Sequence, residues 1–291
     1  MYRLLVIFSA IFITLFSCGK KSEKSDNLDY NKGSLTILAD DSFKSLTEAL
    51  ADAYMINYPE TKISVKTMKE DLAFMELLKG NARLIVMSRD LNAKEKAEYE
   101  RVVDLKYQPA KIAADGVVFV VPISSSRNSI GYNEISKGLV DGSTNFIFDG
   151  ANAGNLNFVA QKLGKNPADL KFNVISGNEA LIRDLHKYPN AIGVIGLNTI
   201  SRPYGKQAKE LRNLVKILPV EKGGVLSEPS SENFRSMKYP FTRIIYFLSN
   251  EGGFRIASGV IRFSATQLGQ LVVEKEGLQP YNFYRREVEM R

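Results

Sequence analysis

The sequence predicts an α/β protein with a largely parallel sheet covered by helices, and three observations lead there. Short apolar runs of strand length recur along the chain. Segments with apolar residues at helical spacing separate them. The breaks between them fall at Gly, Pro or helix-capping residues. Residues 35–38 (LTIL) form the first strand, and Ala39-Asp40-Asp41-Ser42 supplies the acceptors that cap a helix. Phe43, Leu46, Leu50, Ala53 and Tyr54 then repeat at helical spacing over 43–58, and Pro59 closes the helix. Residues 62–68 alternate as a strand, 71–78 are helical and end at Gly80, and 84–87 (LIVM) form a buried strand that stops at Ser88-Arg89-Asp90. A charged helix over 93–102 completes a β-α-β-α-β-α run.

A second α/β unit follows. Residues 117–121 (VVFVV) are a strand ended by Pro122, 132–139 a helix and 145–148 a strand. The segment 149–155 (DGANAGN) reads as a flexible loop, and 156–163 as the helix after it. Residues 172–175 are a strand, 178–187 a helix with His186 as a C-terminal cap, and 191–196 a strand whose glycines allow close backbone approach. Residues 222–238, rich in Gly, Ser and Glu, read as a surface loop. Tyr239-Pro240 opens a strand over 241–248, and two helices, 253–263 and 264–275, lead to Gly277-Leu278-Gln279-Pro280.

Composition narrows the function. The chain has 291 residues, 44 % of them hydrophobic, with 39 Lys+Arg against 32 Asp+Glu, a formal charge of +7. This is globular composition, neither disordered nor polytopic. With one Cys and one His, the chain cannot build a disulfide or a His/Cys zinc site, and it carries no Walker, H-E-x-x-H or G-x-S-x-G motif. No cofactor and no enzymatic activity are expected. Its basic residues are interleaved with acids, so no nucleic-acid footprint forms.

Arg3 and the apolar run 4–16 have the length of a signal-peptide core, too short to span a bilayer. Leu15-Phe16-Ser17-Cys18 resembles a bacterial lipobox, in which cleavage precedes an acylated cysteine. The expectation is a signal over 1–17, lipidation at Cys18, and a polar tether over 18–33.

Taken together, the lipobox, Ala39-Asp40-Asp41-Ser42-Phe43, Met87-Ser88-Arg89-Asp90, Ala114 through Val121, Ile135 to Gly142, Ala191 through Gly196, Tyr239 through Arg243, and Gly269-Gln270 through Pro280 resemble phosphate ABC-transporter substrate-binding lipoproteins. The resemblance implies a type II periplasmic-binding-protein fold, two α/β lobes joined by two crossover strands. Lobe 1 would span 34–121 and 241–291, and lobe 2 would span 122–240. It implies a monomer in the bacterial envelope, anchored by lipid and facing the periplasm. Such a protein captures phosphate or a similar oxyanion in the cleft and delivers it to an ABC permease.

A tetrahedral oxyanion needs converging donors, and helix starts at the carboxyl ends of strands supply them. The expected donors are Ser42, Phe43, Ser88, Arg89, Asn152, Ala153, Gly154 and Asn155. Asp41 or Asp90 would accept the proton of hydrogen phosphate. The loop 149–155 departs from the family, which carries Arg and then Ser-Gly-Thr there. That departure motivates the alternative of an envelope scaffold or sensor with a lost anion site, acting through a protein partner.

Overall fold

The structure is a computed structural model that describes residues 29–284. The signal, Cys18 and most of the tether lie outside the described residues. Strands β1 (Gly33–Ala39), β2 (Thr61–Thr67) and β3 (Leu84–Met87) are parallel, in the order β2-β1-β3, with helices Lys44–Asn57 and Glu70–Leu78 as crossovers. Helix Ala93–Val103 follows, started by a capping box between Asn92 and Glu95. Next comes β4 (Ala110–Pro122), 13 residues long and buried over 112–121.

The second unit holds β5 (Ile130–Gly131), helix Tyr132–Asp141, β6 (Phe146–Phe148), helix Gly154–Lys162, β7 (Asn173–Val174), helix Asn178–Asp184 and β8 (Ile192–Gly196). Helices Asn198–Ser201 and Lys206–Arg212 lead to β9 (Val215–Leu218). The segment 222–238 is more ordered than its composition suggests. β10 (Val220–Lys222) and β11 (Val225–Ser227) pair across Gly223-Gly224, both at positive φ, and Ser230 caps helix Ser231–Arg235. β12 (Thr242–Ser249), helices Ile256–Ala265 and Gln267–Lys275, and β13 (Gln279–Pro280) close the described chain. His186 Nδ1 lies 2.8 Å from the Arg183 carbonyl, bonding the end of its helix.

The main sheet runs β2-β1-β3-β12-β4-β8-β6-β7, with β9 and β13 also on β4. β12 is antiparallel to both neighbours, and its Arg243 stands opposite Asp115 of β4. β4 changes partners along its length, pairing β12 up to Gly116 and β8 from Val117. The cores follow that change. Val117–Val121 pack with Ile135, Phe146, Phe148, Val159, Leu181 and Phe241 in one cluster. Ile37, Leu46, Tyr54, Ile112, Phe247 and Val260 form a second on one face of the other half-sheet, and Phe74, Ile85, Met87 and Tyr246 a third on its opposite face. Among the described residues no helix is long and apolar enough to cross a membrane.

Candidate functional site

Three strand-to-helix junctions converge, and each is stoppered by a side chain of the protein itself. After β1, the fully buried Asp40 caps the turn Asp41–Phe43 by accepting the Ser42 N–H at 3.1 Å. Its other oxygen accepts the N–H of Gly154, 3.2 Å away at the start of the helix after β6. After β3, the Ser88 N–H and Oγ both donate to Glu70 Oε1, at 2.5 and 3.1 Å. The expected anion donors Ser42, Ser88 and Gly154 are thus brought together, and carboxylates hold their N–H groups.

The other expected residues are engaged in different ways, some inside the centre and some at its edge. The Phe43 N–H is used within its own turn, donating to the Asp40 carbonyl. Its ring instead lies under the Arg243 guanidinium, 4.6 Å from the centroid. Arg89 spends its fork on Asp71 (3.1 and 2.8 Å) and Glu95 (2.9 and 2.7 Å), and its Nε lies 3.8 Å from Glu70. Asp90 is exposed, and its backbone exchanges two bonds with the Gln161 side chain. Asn152 is exposed and Ala153 is the buried N-cap. Gly154 and Asn155 belong to the helix rather than to a loop, because Asp40 completes the cap from another strand. The Asn155 amide donates to Asp149 and Asn178, at 2.9 and 3.0 Å. Asp41 accepts from Lys69 Nζ (2.7 Å) and from the Asn178 N–H (2.6 Å) and amide (2.8 Å), a fixed structural role.

Sequence reasoning named Asp40 as a helix cap, which it is, but gave no role at the site to Lys69, Glu70, Asp149, Asn178 or the Arg243–Asp115 pair. Arg243 and Asp115 are both wholly buried, 2.7 Å apart, and Arg243 Nη1 donates to Asn155 Oδ1 at 2.9 Å. Gly196 makes room for them, since a Cβ there would stand 2.7 Å from Arg243 Nη2 and 2.8 Å from Ser42 Cβ. The available signal was a charge within the buried stretch of each of two apolar strands, Asp115 in β4 and Arg243 in β12. Glu70 and Lys69 gave none, because charges at a helix start usually face water.

The electrostatics are dominated by buried acids. Oxygens of Asp40, Asp41 and Asp149 lie within 4.8 Å of one another, and Lys69 Nζ sits 2.7 Å from Asp41 and 3.1 Å from Asp149. Lys69 therefore fills the place a cation would take. Burial pushes Asp149 up to about 7, with Asp40 adding to the rise and Lys69 opposing it. Burial likewise raises Glu70 to about 7 against the pull of Arg89, and it raises Asp40. Burial also acts upward on Asp41, but its bonds to Lys69 and Asn178 leave it lowered. Beside the centre an open cavity of about 1150 Å³ is lined by Asp71, Phe74, Arg89, Asp90, Asn152 and Phe172, among others.

Solved structures share this architecture. A Clostridium perfringens protein with bound phosphate, titled a phosphate ABC transporter substrate-binding protein, aligns with a TM-score of 0.71 at 19 % identity. The alignment covers 86 % of this chain and 100 % of that one. An ABC-type phosphate transport receptor from Vibrio cholerae gives 0.63 at 18 % identity, covering 85 % and 100 %. PstS from Borrelia burgdorferi gives 0.53 at 19 %, covering 86 % and 99 %. A search of the curated proteins finds no match. The model of the PBP superfamily domain matches residues 25–267, most of the sequence. The chain is therefore a member of the PBP superfamily, with the α/β fold of the type II periplasmic binding proteins.

Proposed function

We propose that this protein is a lipid-anchored solute-binding protein of the bacterial envelope that captures phosphate or a similar oxyanion and passes it to an ABC permease. One observation carries the reading. The N–H groups of Ser42, Ser88 and Gly154, from three separate junctions, each hold a carboxylate oxygen. The pocket is thus an assembled set of oxyanion donors with two internal carboxylates, Asp40 and Glu70, on it. The fold shared with phosphate-transport proteins supports the same reading. In it, 34–121 with 241–291 form one lobe and 122–240 the other, Cys18 carries the anchor, and the chain works as a monomer without catalysis. Titration calorimetry of the full chain in detergent with phosphate, sulfate and arsenate tests it, and absence of heat with all three refutes it for the wild-type cleft.

The same carboxylates favour a second reading. Arg89 is spent on Asp71 and Glu95, and Arg243 on Asp115 and Asn155, so neither of these two guanidiniums at the centre is left for a solute. A cleft closed in this way suits an envelope scaffold or sensor that acts through a protein partner. That reading expects no phosphate heat from the wild type or from variants that empty the pocket.

A further inference from the structure

Resting on the oxyanion reading, we infer that Glu70 is the resident occupant of the anion position and the residue that decides which solutes the cleft admits. Its Oε1 takes both donors of Ser88, the N–H and the hydroxyl. A Cβ built on Gly154 would lie 3.4–3.5 Å from the Glu70 carboxyl carbon and both of its oxygens. One carboxylate therefore lies against both the β3 junction and the start of the helix after β6. It holds the ground on which those elements could grip a solute.

The way Glu70 is held separates an occupant from a structural acid. Buried polar atoms nearly always have partners. Glu70 is wholly buried, yet its Oε2 accepts no hydrogen bond, and the nearest cation, Arg89 Nε, is 3.8 Å away and bonded to Asp71. Asp40, by contrast, uses both oxygens as caps. Asp40, Arg89, Arg243 and Tyr246 are titratable groups that interact with it. An external oxyanion replaces the Glu70 carboxylate on Ser88 and cannot bind beside it, since two anions would share one donor pair.

The test is calorimetric titration of inorganic phosphate into the full chain in detergent at pH 8, for wild type, E70A and E70Q. Circular dichroism confirms that each variant is folded. E70A is expected to bind phosphate at least tenfold more tightly than wild type, with E70Q between them, because its amide oxygen still accepts from Ser88 without a full charge. Phosphate binding by E70A with none by wild type supports Glu70 as the occupant while refuting phosphate capture by the wild-type cleft. Equal affinities in all three chains overturn it while leaving the oxyanion reading standing. No heat from any folded chain overturns both. Should E70A fail to fold, the E70Q-to-wild-type ratio decides, and a ratio of one refutes the inference.

Discussion

Replacing Arg243 by Met strands a charge in the deepest part of the molecule. Arg243 and Asp115 face each other across β12 and β4, both with no exposed side-chain surface, joined by bonds of 2.7 and 3.2 Å. Met fills a similar volume but leaves Asp115 buried without its partner, and Asp115 Oδ1 already lacks a hydrogen bond. Breaking a buried pair from one side costs about 3–5 kcal/mol. Asn155 Oδ1 loses its donor as well, roughly another 1 kcal/mol. With a urea slope of about 3 kcal/mol/M, the midpoint should fall by ~1–2 M. Far-UV circular dichroism suits the measurement because the chain has no Trp. Burial holds the Asp115 carboxyl above its ordinary range, and Arg243 pulls it back. Without Arg243 the carboxyl rises further, so the penalty should shrink as pH falls and Asp115 takes a proton. Asp115→Leu added to Arg243→Met should recover most of the loss. A midpoint shift below about 0.3 M at pH 7.5 would refute the view that this pair is an isolated low-dielectric unit.

Four further outcomes can be checked by similar means. Glu70 and Asp149 are each raised to about 7, above their unfolded values, so the folded state binds more protons between pH 4 and 7. Stability should therefore fall as pH rises through that window, by up to about 1.4 kcal/mol per unit for each group, and E70Q should remove one share; urea midpoints at pH 5.5, 6.5 and 7.5 read this. Lys69→Met leaves Asp40, Asp41 and Asp149 without their shared cation, and its loss of several kcal/mol at pH 8 should be smaller at pH 6 or when Asp149→Asn is added. Gly196→Ala drives a methyl into Arg243 and Ser42 and should cost about 1–3 kcal/mol in the same denaturation assay. Cys18→Ser should move the protein from the membrane fraction to the soluble fraction on immunoblots of the native host; unchanged partitioning would count against the anchor.

The strands were legible because burial on two faces leaves continuous apolar runs, as in residues 84–87 and 117–121. The junctions were legible because β1 and β3 end abruptly in cap-forming residues. The contents of the pocket were not. Glu70 meets Ser88 across 18 positions, Asp40 meets Gly154 across 114, and Arg243 meets Asn155 across 88. No local pattern carries such pairings. Arg89 misled for a related reason. A guanidinium after a buried strand reads as an anion fork, but Asp71 and Glu95 reach it from two neighbouring helices. The hairpin and helix within 220–235 were hidden by Gly, Ser and Glu, which suit tight turns and caps as well as loops.

The place of β12 bears on how the chain comes to be folded. This strand, drawn from the last sixth of the sequence, lies in the middle of the sheet, with β3 on one side and β4 on the other. Until residue 249 is available, β3 and the first half of β4 face a gap that no other strand fills. The N-terminal half therefore cannot finish its sheet while the chain is still being made, and its contacts close over long sequence distances, which slows folding. If the chain is exported as proposed above, a sheet whose central strand arrives last would keep the early part of the sequence in a threadable state.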